Sequence, residues 1–249
     1  MMNRAALVFA VLALAATGLL AWQNLAGASP KTGDAFGKQV RAYLLEHPEV
    51  IEEAGAKLNE QRRMAALAQS SSAITARKAA LQSDPHDFVA NPQGKVTVVE
   101  FFDYRCPYCK AALPELEDLI AHNKDVRFVF KELPILPDSD GKIGVSLRAA
   151  RAAMAAAAAG KYPQVHHDLM AQKPLDDAGI ARALAANGLD PALVMSTAYD
   201  QHLKDVHDLA AAINAGGTPA FVVGDHLIEG ARMDDLAAGI AEARKTVKG

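Results

Sequence analysis

The stretch "KVTVVEFF", Lys95 to Phe102, most narrows what this chain can fold into. It is β-branched and aromatic, and apolar on both of its faces. A strand of that kind sits in the middle of a sheet with both sides covered. The segment after it, Pro107 to about His122, reads as a helix, and "VRFVFKEL", Val126 to Leu133, as a second strand. After the loop "PILPDSDG" comes a long helical stretch. It comprises the Ala-rich Val145 to Ala159, then Gln164 to Gln172, then "LDDAGIARALAANG", with acids in its first turn and Asn187-Gly188 at its end. Asp190-Pro191 is expected to start a further helix running to about Asn214. "AFVVGDHLIEG" reads as two short strands around Gly224-Asp225, and Met233 to about Val247 as a last helix. The order is strand, helix, strand, several helices, hairpin, helix, which is an α/β arrangement with a helical insertion.

Two other regions precede this body. Residues 1–28 carry a lone Arg4, then the uncharged run "AALVFAVLALAATGLLAW", then Ala26-Gly27-Ala28 in a small-x-small pattern. That is the form of an export signal, with an uncleaved anchor as the competing reading. Either places the rest of the chain outside the cytoplasm, and the style of the signal points to a bacterial periplasm. Residues 29–84 are expected to be mostly helical. Phe36, Val40, Tyr43 and Leu44 share one face, and His47-Pro48 breaks the helix. From Val50 to Leu81 a spacing of three and four threads Ile51, Ala54, Leu58, Gln61, Ala65, Ala68, Ser72, Thr75 and Ala79. A helix with so thin a stripe packs either on another subunit or across its own domain. With 51 % hydrophobic residues and a net charge of -3 over 249 residues, the chain is globular, and no basic excess points to nucleic acid.

Both cysteines fall immediately after the central strand, in "CPYC". Outside the cytosol cysteines tend to pair. A disulfide acts as a staple by closing a long loop in the unfolded chain, and Cys106 and Cys109 enclose two residues, so the pair is poorly explained that way. At a strand-to-helix junction Cys106 sits beside unpaired N–H groups and the positive end of the helix dipole. Both favour the thiolate, which attacks and leaves in disulfide exchange. Cys109, one turn along and expected to be more buried, can close on Cys106. A zinc site is the rival use, but it wants four ligands and no further cysteine exists. His166 and His167 would point apart on a helix, and the other histidines (47, 86, 122, 202, 207, 226) are read as surface residues. No metal ligand is assigned. Far downstream, Thr218-Pro219 precedes the apolar "AFVV"; it fits either a deliberately placed X-Pro bond or an ordinary turn.

Together these pieces resemble the thioredoxin-fold oxidoreductases, the DsbA-like branch in particular, over about Asp87 to Gly249. The resemblance implies a thioredoxin fold (residues 85–249) with an inserted helical domain at about 143–214, preceded by an N-terminal helical stalk. It implies that Cys106 and Cys109 are the redox pair, with no bound cofactor, and that a cis-Pro at Pro219, after Thr218, binds substrate backbone. It matches Glu100 to the acid that the family buries beneath its dithiol; a partly wet strand position is the other reading. "VRAYLLEHPEVIEEA" is similar to the leader of the subgroup called suppressor of copper sensitivity protein C, ScsC, in which some members are trimers. The implied partners are unfolded or misoxidised exported proteins and a membrane redox partner that is DsbB-, DsbD- or ScsB-like. Joined subunits favour isomerase work and a monomer favours oxidase work. Pro107-Tyr108 replaces the Pro-His of the strongest oxidants. Tyr carries no charge to hold the thiolate, so a pair less oxidising than DsbA, at about -120 mV, is expected. The alternative from another class is a non-catalytic thiol carrier, for instance of copper(I).

Overall fold

A computed structural model describes residues 30–139 and 144–247. The export signal expected in residues 1–28 lies outside the described residues. Among those described, no helix is long and apolar enough to cross a membrane. The chain divides into two compact units between Arg62 and Arg63.

The first unit contains α1 (Pro30–Glu46) and the start of α2 (Glu49–Ala76), separated at His47-Pro48. Its large apolar side chains face outward: Phe36, Tyr43, Leu45, Ile51 and Leu58 are all exposed. The spacing of three and four through Ile51 and Leu58 therefore marks an exposed stripe here. In the second unit the same helix behaves differently. Ile74 of α2, and Leu81 of α3 (Lys78–Gln82), are buried against Val99, Phe101 and Val129. Neither residue belongs to the thread expected from the sequence, because the sheet selects the side chains bulky enough to fill its surface.

The sheet has five strands in the order β1-β3-β2-β4-β5: β1 (Phe88–Ala90), β2 (Val96–Phe102), β3 (Val126–Glu132), β4 (Ala220–Val223) and β5 (His226–Glu229). Only β2 and β3 run parallel, joined by α4 (Pro107–His122); the other pairs are antiparallel. The chain enters β2 through Gly94, where a Cβ would lie 2.4 Å from the backbone of Arg127, so no side chain fits. Gly224, at φ +62°, makes the β4–β5 turn. Strand period divides the core in two. Val98, Phe102, Phe128, Phe130, Phe221 and Val223 face a cluster that holds both cysteines, while Val99, Phe101, Val129, Ala220 and Val222 face the other way.

Between β3 and β4 lie α5 (Gly144–Ala158), α6 (Tyr162–Ala171), α7 (Asp177–Ala186), a 3-10 turn (Pro191–Met195) and α8 (Asp200–Ala212); α9 (Met233–Val247) closes the chain. This is the expected α/β arrangement, with the helical insertion between β3 and β4. The Ala-rich run packs its small side chains inward: Ala149, Ala150, Ala152, Ala153 and Ala156 are fully buried. One expectation fails. The helix from Asp190 to Asn214 is two pieces, because the chain turns extended at Ser196 (φ -64°, ψ 129°) before α8 begins. The Ser196 hydroxyl accepts from the Ala198 N–H at 3.4 Å, a local bond that competes with the helix.

Candidate active site

β2 ends at Phe102, and the next residue, Asp103, organises the turn into α4. Its buried carboxylate accepts from the Arg105 N–H (2.8 Å) and the Ser146 hydroxyl (2.9 Å) with one oxygen. With the other it accepts from the Ile135 and Leu136 N–H groups, both at 2.9 Å. One side chain thereby ties the β2–α4 turn to the segment after β3 and to α5. The Cys106 N–H donates to the Asp103 carbonyl at 3.0 Å, and Cys106 takes the N-cap position of α4 with extended backbone (φ -67°, ψ 119°). Pro107 is the first helical residue, where its missing N–H costs nothing.

Cys106 and Cys109 are both buried and both free thiols. A hydrogen bond from Cys109 lowers the Cys106 pKa; burial opposes it, and Thr218 and the N–H groups of Cys109 and Tyr108 assist. The net result is a value of about 5. Cys109 moves the opposite way: burial pushes it well up, and Cys106 and Glu100 add to that. Thr218-Pro219 is a cis peptide, and the Cys106 thiol donates to the Thr218 carbonyl at 3.1 Å. The register explains the contact. Ala220 pairs with Phe101, so the residues before β4 abut those after β2.

Glu100 lies between Val98 and Phe102 on the dithiol side of the sheet, opposite Phe130 and Phe221 in register. It is 4 % exposed, which removes the partly wet alternative. Its Oε2 has no hydrogen-bond partner, and burial raises its carboxyl pKa to about 8. Tyr108, by contrast, is 66 % exposed and projects from the motif. Beside the motif opens a cleft lined by Arg105, Pro107, Lys110 and the Gln172–Leu175 segment, with a second cis bond at Lys173-Pro174. So Cys106, Cys109, Glu100, Pro107, Tyr108, Thr218 and Pro219 all gather at one end of β2.

The sequence reading missed a second buried group on the same side. Tyr162 donates to Glu132 Oε1 at 2.8 Å; the Tyr104 hydroxyl lies 3.2 Å from the same oxygen and 3.0 Å from His166 Nδ1. Burial, seconded by Asp103 and Glu100, raises the Glu132 carboxyl against the two tyrosine bonds, while burial lowers His166 to about 3. In this buried polar group on the dithiol side of the sheet, burial favours the neutral form of each member. The signal for it lay in the charged pair Lys131-Glu132 closing an apolar strand. Lys131 faces the other side, where it pairs with Asp87. His202 also departs from expectation: it was read as a surface residue, but α8 buries it at 7 % exposure.

Residues 97–241 match the family described as the DSBA-like thioredoxin domain. The chain belongs to that family. Residues 34–65 match a second description, the copper resistance protein ScsC N-terminal domain. Among solved structures, this DSBA-like chain is similar to BcfH of Salmonella enterica Typhimurium, at 30 % identity and TM-score 0.69, covering 86 % of this chain and 96 % of that one. It is similar to a Proteus mirabilis ScsC linker-deletion mutant at 26 % identity and TM-score 0.65, covering 88 % and 97 %. Over 200 residues it is 30 % identical to the Na(+)/H(+) antiporter NhaA 3 of Salinispora tropica, covering 76 % of this chain and 29 % of that protein. The chain thus spans less than a third of that curated relative. The ScsC and DSBA-like thiol–disulfide proteins are the structural neighbours of this fold, as the CPYC motif and the N-terminal leader implied.

Proposed function

We propose that this chain is an exported, periplasmic thiol–disulfide oxidoreductase that makes or rearranges disulfides in other exported proteins. The observation that carries the reading is the placement of the pair: Cys106 caps α4, its sulfur 3.1 Å from the Thr218 carbonyl, with Cys109 one turn along. These surroundings lower the Cys106 thiol to about 5 and raise Cys109. In the oxidised form a substrate thiolate attacks Cys106 Sγ. The Cys106–Cys109 bond breaks, and Cys109 leaves with the electron pair and takes up a proton. A second substrate thiolate then attacks its own sulfur in the mixed disulfide, and Cys106 leaves as a stabilised thiolate. Two electrons have passed from substrate to protein, and a membrane redox partner accepts them to reset the pair. In the isomerising direction the Cys106 thiolate attacks a wrong substrate disulfide, and the released substrate thiolate attacks elsewhere, with no net oxidation. The chemistry needs no bound cofactor.

In this reading the Thr218 and Pro219 backbone lines up an extended substrate segment against Cys106, with the Thr218 carbonyl already within bonding distance of its sulfur. Glu100, protonated at neutral pH, supplies or accepts the proton that Cys109 gains or loses. Exposed Tyr108 gives the substrate an apolar surface. The outward-facing apolar residues of the N-terminal unit support association between copies, and joined subunits favour isomerase work.

The test is trapping. Cys109→Ser should accumulate a mixed disulfide between Cys106 and a thiol-bearing substrate on a non-reducing gel, and Cys106→Ser should not. Failure to trap with Cys109→Ser, together with a Cys106 thiol that titrates near the free value of about 8.5, would sink the proposal.

A further inference from the structure

We propose that Asp84, His86 and His202 form a binding site for a divalent transition ion of the zinc type, built separately from the dithiol. Their donor atoms lie within 4.8 Å of one another. The Nδ1 of His86 is 3.0 Å from Asp84 Oδ1, and the Nδ1 of His202 is 3.4 Å from Asp84 Oδ2. For metal bonds of about 2.0–2.1 Å in a tetrahedron, neighbouring ligand atoms are roughly 3.3 Å apart. Each imidazole therefore already stands near ligand spacing from the shared carboxylate, and the third pair lies within 4.8 Å.

The support behind the ligands strengthens the argument. The side chain of His202 is 6 % exposed, and its far nitrogen, Nε2, lies 3.2 Å from Oδ1 of Asp87. That oxygen is buried and has no hydrogen-bond partner. The other Asp87 oxygen is held by Lys131, which is itself buried in β3. When Nδ1 takes an ion, Nε2 carries the proton, and Asp87 Oδ1 is the carboxylate oxygen that stands behind it as acceptor. On the near side, the His86 N–H donates to Asp84 Oδ1 at 2.9 Å, which orients that carboxylate. The His86 side chain is 55 % exposed and that of Asp84 29 %, so an ion can enter from solvent and keep a water as a fourth ligand.

Donor chemistry selects the ion. Two imidazoles and one carboxylate suit a borderline ion such as Zn²⁺, not Ca²⁺ or Mg²⁺, which take oxygen ligands, nor Cu⁺, which takes thiolates. Bound there, the ion would clip the segment between α3 and β1 onto α8.

The experiment uses the full chain carrying Cys106→Ser and Cys109→Ser, so that the dithiol takes up no metal. Zn²⁺ is titrated against a chromophoric chelator and thermal unfolding is followed with and without Zn²⁺. The expected result is one Zn²⁺ per chain and a raised melting temperature. Adding His86→Ala should weaken binding by about tenfold or more and abolish the shift. Because His86 is exposed, its variant should melt like the parent in chelator, which separates lost ligation from lost folding. Adding His207→Ala, an exposed histidine elsewhere on α8, should change neither. No Zn²⁺ uptake, or equal uptake by the His86→Ala protein, would overturn the site and leave the cluster as ordinary hydrogen bonds.

Discussion

The Cys106 thiol donates to the Thr218 carbonyl across 3.1 Å, although 112 residues of chain separate them. β4 brings them together by pairing antiparallel to β2, with Ala220 opposite Phe101. The sulfur that the helix N-terminus activates is thus also the sulfur against which an incoming chain would lie.

Cys106 should titrate far below a free thiol. Thiolate absorbance of the reduced protein is expected to rise with a midpoint of about 5. Attack on a disulfide probe should be flat from pH 6 to 8 and fall roughly tenfold per unit below the midpoint. The folded value lies below the unfolded one, so between about pH 5 and 9 the unfolded state binds the extra proton. Stability of the reduced form relative to Cys106→Ser should therefore rise with pH over that window and be lost as pH falls through 5.

Glu100 should do the reverse. Its folded pKa of about 8 lies above the ordinary 4.5, so the native state binds the extra proton in between. Stability should fall as pH rises through that window, by a few kcal/mol at most. In a background lacking both thiols, Glu100→Gln should flatten this slope; equal slopes in urea unfolding at pH 5 and 8 would count against a buried neutral Glu100.

Tyr108→His should make the pair more oxidising. A protonated imidazole favours the Cys106 thiolate and hence the reduced form. Equilibrium with a glutathione buffer should shift up to about tenfold, or ~30 mV. A shift toward a more reducing pair would contradict the expectation.

Tyr162→Phe removes the 2.8 Å bond to Glu132 and leaves a buried carboxyl with one fewer donor. The expected cost is about 1–3 kcal/mol, seen as a lower urea midpoint at unchanged m-value.

The N-terminal unit can be removed only at the right place. Deletion through Arg62 should leave exchange activity intact and, if the outward apolar residues join copies, yield a monomer by light scattering. Deletion through Asp84 should unfold the protein, because it removes Ile74 and Leu81, 2 % and 1 % exposed.

Much was legible in the sequence because it is local. The two-faced apolar run of β2, the Cys-Pro junction and the break at His47-Pro48 each follow from neighbours within a turn or a pleat. The position of Glu100 on the dithiol side follows from the period-two alternation. What was not legible depends mostly on partners far along the chain, with one local exception. The split of Asp190–Asn214 turns on a local hydroxyl bond that propensity alone does not weigh. The burial of His202 depends on where α8 lands, and the grouping of Glu132 with Tyr104, Tyr162 and His166 requires α6 to cover β3.

Composition and pattern alone determined an α/β body, a helical leader and a dithiol at a strand-to-helix junction, because backbone geometry and the helix dipole act over a few residues. Only the tertiary structure decided which acids are desolvated, which histidines are buried, and that Thr218 meets Cys106. Those outcomes depend on burial and register, which couple residues tens to more than a hundred positions apart.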